Sequence, residues 1–215
     1  MVIGFIGGTG PEGKGLALRL ALSGEQVLIG SRDESRAAEA ASELLELAPD
    51  ASIGGALNDE VAVRSDIVFV VVPYAGQRPT LEALRERLAG KIVVDVVSPM
   101  AFSKGVARAV PVPEGSAALE AKALLPESTI VAAFQTISAH DLMNTDEPVD
   151  SDVVVCGQDR EARETVMALA EKVPGVRAVD GGGLSNAGYV ENLTPLLVNI
   201  NRRYKAHSAI KIVGI

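Results

Sequence analysis

Four glycines fall within seven residues near the start of the chain, in Gly7-Gly8-Thr9-Gly10-Pro11-Glu12-Gly13. The apolar run Val2-Ile3-Gly4-Phe5-Ile6 precedes them and an amphipathic stretch from Lys14 to Leu20 follows. A short strand, a glycine turn and a helix in that order constrain the fold more than any other feature here. Gly8, Gly10 and Gly13 satisfy G-x-G-x-x-G, the pattern that brings a dinucleotide's pyrophosphate onto a helix N-terminus. In that pattern Gly8 is expected to make the tight turn, Gly10 to admit the pyrophosphate and Gly13 to let helix and strand approach. Pro11 suits a first helical turn, where its missing N–H is not needed. A glycine loop without a ligand is the bland alternative, and the flanking strand and helix weigh against it.

The end of the second strand selects the nucleotide. The run Gln26-Val27-Leu28-Ile29-Gly30 leads into Ser31-Arg32-Asp33-Glu34-Ser35-Arg36. A site for NAD would place a carboxylate at the strand end, against the ribose 2′-hydroxyl. Ser31 and Arg32 stand there instead, and a hydroxyl with a guanidinium suits a 2′-phosphate. Arg36 lies one helical turn beyond Arg32 and can face the same anion. Asp33 and Glu34 read as first-turn dipole partners of the next helix. The expected cofactor is NADP(H).

The net charge of −8 argues against a nucleic-acid partner. Arg202, Arg203, Lys205 and Lys211 nevertheless form a basic stretch free of carboxylates. Cys156 is the single cysteine, so no internal disulfide is possible, and its apolar surroundings predict a buried, inert thiol. No charged leader or run of about 20 apolar residues is present, and a cytoplasmic location is expected.

Strands alternate with helices, the mark of a parallel sheet covered on both faces. Helices are expected over 34–48, 79–88, 117–125, 159–172 and about 185–203. Strands are expected at 51–54, 67–72, 91–95, 129–133, 152–156 and 176–180. Residues 98–116, with three prolines and two glycines, read as a long irregular connection at the sheet's ligand-binding edge. The expected architecture is an α/β, Rossmann-type doubly wound parallel sheet. Residues 1–150 form its NADP-binding domain, and 151–215 form a small C-terminal α/β lobe packed on it.

No Tyr-x-x-x-Lys pair, metal-ligand cluster or Ser/His/Asp set can be assembled from the sequence. Lack of an acid–base set suits direct hydride passage between two ring systems, where the protein mainly positions two planes. Together with the glycine turn and Gly30-Ser31-Arg32, several further segments are distinctive. They are Val72-Pro73, Asp152–Gly157, Gly183-Leu184-Ser185-Asn186, Glu191-Asn192-Leu193-Thr194-Pro195 and Asn199–Tyr204. Over its whole length the chain resembles the NADPH-dependent coenzyme F420 reductases, which pass hydride between NADP and C5 of the deazaflavin.

The resemblance implies that Thr9, Gly10, Pro11 and Glu12 line the pyrophosphate, and that Ser31, Arg32 and Arg36 hold the 2′-phosphate. Val72, Pro73, Tyr74 and Arg78 then flank the ribose and nicotinamide. Gln135, Thr136, Ile137 and Ser138 border the gap between the rings, where some archaeal members have His-Thr-Ile-Pro. Gln135 is a ring contact that cannot titrate. Ser98, Pro99 and Met100 carry over as neighbours of the site. Arg202 and Arg203, with Lys205 and Lys211, are expected to hold the phosphate and polyglutamate tail of F420. His140 reads either as a loop residue or as a ligand contact. The apolar side of helix 185–203 and the run 210–215 predict a homodimer. A reductase of ordinary flavins or ferric complexes, or a non-catalytic NADP(H) sensor, are the competing readings.

Overall fold

Apolar side chains along the central strands alternate between two buried faces, and each face carries its own core. The computed structural model describes residues 1–215. In chain order the elements are β1 (Val2–Ile6), α1 (Pro11–Leu22), β2 (Gln26–Ser31), α2 (Glu34–Leu47), β3 (Ile53–Leu57), α3 (Asn58–Arg64) and β4 (Ile67–Val70). There follow α4 (Tyr74–Leu88), β5 (Ile92–Asp95), β6 (Met100–Ser103), β7 (Val106–Ala109), α5 (Ala117–Leu124) and β8 (Thr129–Ala132). The last are α6 (Ala139–Met143), β9 (Ser151–Gly157), α7 (Arg160–Ala170), β10 (Val176–Asp180) and α8 (Ala187–Tyr204).

Eight strands form one sheet in the order β10-β9-β8-β5-β4-β1-β2-β3. Ile3, Phe5, Ile67 and Phe69 face a core with α1, α2, α6 and α7. Ile6, Val68 and Val70 face the other, with α3, α4, α5 and the start of α8. Burial on both faces explains why these strands read as continuous apolar runs. The six strands from β3 to β8 are parallel, and the chain reverses its winding between β1 and β4, where doubly wound sheets bind ligands. β9 joins β8 antiparallel through Val131↔Gly157 and Ala132↔Cys156, and β10 continues parallel to β9. The segment 151–215 thus extends the same sheet and returns over it as α8.

Several local expectations are corrected. Residues 98–116 are not wholly irregular, because β6 and β7 form an antiparallel hairpin. Its two-residue turn, Lys104-Gly105, has positive φ at both positions, the conformation that matches strand twist. Lysine in place of the usual asparagine disguises that signal. Helix α4 starts at Tyr74, one turn before Pro79, which the helix tolerates in its interior. The edge strand lies at 53–57 rather than 51–54, and α3 and α6 have too few turns to show a period in sequence.

Candidate active site

The glycine turn does its work with a different division of labour from the sequence pattern. The left-handed residue is Gly7, at φ +71, and not Gly8. A Cβ on Gly7 would lie 2.4 Å from Cγ1 of Val72, so β1 and the end of β4 meet at the switch point. A Cβ on Gly13 would lie 2.6 Å from Cα of Gly8, the close helix–turn approach expected of the third glycine. Asn58, which sequence reasoning did not single out, accepts the Gly7 N–H through Oδ1 at 3.1 Å. No local motif announces it, since it comes from the start of α3. Pro11 is the first residue of α1, as expected, and Gly10 caps it with no side chain in the way.

Glu12 follows in the first turn of α1. Its Oε1 is enclosed and has no hydrogen-bond partner, and burial pushes its carboxyl up to about 8. Burial thus favours its protonated form.

Ser31 and Arg32 line a cavity of about 510 Å³ together with Asn58, Gly76, Thr80 and Arg87. Asp33 is committed to the N-terminus of α2, where its side chain accepts the N–H groups of Ser35 and Arg36. Of the two cations after β2, only Arg32 lines this cavity. Arg36 stands on α2, outside the lining, and Arg87 of α4 faces in from the opposite wall. Arg87 pairs with Asp59 at 3.6 Å, whereas Arg32 has no ion pair. A phosphorylated ribose fits this arrangement: space, an unpaired guanidinium and a buried serine hydroxyl converge at the strand end.

Past β4, Val72, Pro73 and Tyr74 lie at the strand's C-terminal end, with Pro73 capping α4. Arg78 stands one turn along α4 from Tyr74, near enough for its charge to act on the Tyr74 hydroxyl. Its guanidinium meets Glu120 at 2.7 Å and Glu114 at 3.1 Å, so protein carboxylates already occupy it. Its turn of α4 points Arg78 toward α5, away from the cavity that Gly76 and Thr80 line.

Phe134, two residues past the end of β8, has φ +73, a strained conformation for a non-glycine residue. The kink carries Gln135, Thr136 and Ile137 across the sheet edge as a buried segment, and Ser138 caps α6. Gln135 gives its Nε2–H to the main-chain oxygen of Asp95 at 2.8 Å, and its Oε1 is buried without a partner. The free half of this amide is an acceptor, so it matches a ring N–H or a carboxamide rather than a ring carbonyl. Thr194 of α8 donates to the Gln135 carbonyl at 2.7 Å and stands 2.8 Å from the Ser98 hydroxyl. Met100 opens the hairpin beside them.

Buried acids support this edge. Asp95 has no exposed surface, and burial, reinforced by Glu191 and Glu120, holds its carboxyl well above the usual carboxylate range. Glu191 of α8 accepts the N–H groups of Ala117 at 2.8 Å and Ala118 at 3.1 Å, which pins α8 to the start of α5.

The basic stretch divides. Arg202 and Arg203 line a groove of about 600 Å³ with Lys104, Gly105, Val106, Asn199 and Ile200. Arg202 also donates to the Gly105 carbonyl, and Asn199 clasps both backbone groups of Ala107. Lys211 is elsewhere, paired with Asp150 at 2.6 Å. Lys104, hidden in a segment read as irregular, takes its place. His140 is exposed and stacks on His207 with ring centroids 3.9 Å apart, away from the buried segment. Cys156 is buried, with its thiol pushed up to about 11, as an inert core residue requires.

The glycine turn, the Ser31–Arg32 cavity and the winding reversal between β1 and β4 are the parts from which doubly wound folds build a nucleotide site. That places the chain among the Rossmann-type nicotinamide oxidoreductases. The profile of the family described as "NADP oxidoreductase coenzyme F420-dependent" matches residues 2–99. The F420-dependent NADP reductase of Methanothermobacter thermautotrophicus is 44% identical over the whole chain and 96% of its own length. A protein from Arthrobacter sp. FB24, proposed to be an F420-dependent NADP reductase, superposes with a TM-score of 0.85 at 28% identity, covering 99% of both chains. Human metalloreductase STEAP2 is 30% identical over 90% of this chain, which spans only 36% of that protein. The chain belongs to the family of F420-dependent NADP reductases.

Proposed function

We infer that the protein transfers a hydride directly between NADP(H) and coenzyme F420, with this chain's residues positioning the two rings. The carrying observation is the union of the glycine turn and the Ser31–Arg32 cavity with the buried 134–138 segment at one sheet edge. The nicotinamide supplies the hydride chemistry when bound. Thr9, Gly10, Pro11 and Glu12 meet the pyrophosphate, while Ser31 and Arg32 hold the 2′-phosphate, with Arg36 within reach along α2. Val72, Pro73 and Tyr74 flank the ribose. Gln135 accepts a hydrogen bond from a ring, and Thr136, Ile137 and Ser138 wall the gap. Arg202 and Arg203, joined by Lys104, offer the groove for the phosphate and tail of F420. Arg78, one turn from Tyr74 and paired with Glu114 and Glu120, stands on the same side of α4 as the ribose and nicotinamide contacts.

Mixing the protein with NADPH and F420 and following loss of the deazaflavin's visible absorbance tests this reading. Turnover with FMN or a ferric chelate but not with F420 would overturn it, as would no turnover with any acceptor.

A homodimer is also part of the reading. Phe102 on β6 and Tyr189 and Leu196 on α8 are large apolar side chains left exposed. The run 210–215, by contrast, is fastened to its own subunit through Asp152 and Arg177. Sedimentation at micromolar concentration should show a dimer; a monomer would refute it. No helix is long and apolar enough to cross a membrane. A cytoplasmic setting matches the single buried thiol.

A further inference from the structure

Glu12 is the one ionisable side chain on a turn that receives two phosphate charges. Its direction follows from the face of α1 it occupies. Residues 12, 15 and 19 share one stripe of a helix. A Cβ on Gly15 would lie 2.6 Å from Leu142 and 3.5 Å from the carbonyl of Ala139, both on α6. Arg19 donates to the carbonyls of Leu142 and Asp141, each at 2.8 Å. The same stripe, followed back one turn, directs Glu12 toward the α6 side of the turn, the side on which the proposed function puts Gln135 and Ser138. There its Oε1 is enclosed and partnerless. An unpartnered buried polar atom costs stability unless something meets it, and the cofactor is what this edge receives.

No neighbouring charge compensates Glu12. On its own helix, Lys14 is paired with Glu43 of α2 at 2.6 Å, and Arg19 is spent on main-chain carbonyls. On α6, His140 and Asp141 face each other at 3.2 Å, and His140 stacks on His207 of the C-terminal segment. Residues 134–138 contain no ionisable side chain. Burial alone accounts for the raised carboxyl.

We propose that NADP(H) binds to the form of the protein in which Glu12 is protonated, the neutral carboxyl donating a hydrogen bond to the cofactor that the carboxylate would repel. The inference rests on the NADP(H) reading and deepens it. Its sign is fixed. Below about pH 8 the free protein already carries the proton and affinity is flat. Above that, binding must take up a proton, so affinity falls by about tenfold per pH unit. The cofactor's own phosphates finish ionising near pH 6, below this window.

The experiment is an NADP+ titration from about pH 7 to pH 9.5, by calorimetry in two buffers of different ionisation enthalpy. Wild type, Glu12→Gln and Glu12→Leu are compared. The dissociation constant of wild type should rise by about tenfold between pH 8.5 and 9.5, with proton uptake approaching one per site. Both variants should show a pH-independent constant and no proton uptake. Wild-type affinity that is flat to pH 9.5, or variants that keep the alkaline loss, would overturn the proposal. Failure of wild type to bind NADP+ even at pH 7 is a different result. It would remove the NADP(H) reading and this inference with it.

Discussion

The Thr194 hydroxyl donates to the main-chain carbonyl of Gln135 across 2.7 Å, joining residues 59 apart in sequence. Its single hydrogen is thereby spent, so in the 2.8 Å contact with Ser98 the Thr194 oxygen accepts and Ser98 donates. One side chain of α8 thus ties the loop after β5 to the segment after β8. In the proposed function these are two walls of the ring gap.

Thr194→Val keeps the shape and removes both bonds. It leaves the Gln135 carbonyl and the Ser98 hydroxyl short of a partner, at a cost of about 1–3 kcal/mol. Thermal unfolding should shift down by about 2–10 °C, and turnover with F420 should fall because the gap loses its fixed width. An unchanged melting temperature together with unchanged turnover would show that the tie holds nothing.

Arg32→Ala should weaken NADP+ binding and leave NAD+ binding nearly unchanged. Arg32 is exposed, so solvent screens its charge and the loss should be modest, about 3- to 30-fold. Equal losses for both nucleotides, measured by fluorescence titration, would sink the assignment of the 2′-phosphate to this cavity.

Replacing Arg202 and Arg203 by Gln should raise KM for F420 and flatten its dependence on salt. Turnover number should change little, because a tail contact is the same in ground and transition states. The KM for NADPH should stay put, since the groove lies beside the hairpin and not at β2. Wild-type salt dependence in the double variant would place the tail elsewhere.

Asp95→Asn tests the buried acid. A carboxyl whose folded value is raised binds its proton more tightly in the folded state. Its contribution to stability is therefore lost as pH rises from the unfolded value, about 3.9, toward the raised one. Asn has no such slope. The variant should gain in melting temperature relative to wild type between pH 5 and pH 8. A constant offset across that range would contradict it.

The sequence by itself determined what depends on local chemistry. The glycine turn, the helix at Pro11 and the alternation of β and α follow from steric limits and periodicity within a few residues. So does the choice of Ser31-Arg32 over a carboxylate, because one strand end decides which ribose fits. What joins distant residues was not legible there. Nothing near Arg78 in sequence shows that Glu114 and Glu120 hold it, and nothing near Asn58 shows that it braces Gly7. The basic stretch looked continuous along the chain, yet the fold turned Lys211 to Asp150 and brought Lys104 to Arg202 and Arg203. Gln135 shows the division most plainly. Its inability to titrate is written in its side chain. Which half of its amide stays free was decided only when β8 paired with β5 and set that amide against the carbonyl of Asp95. Hydrogen bonds and ion pairs are short-ranged in space but not in sequence, so only the tertiary fold selects their partners.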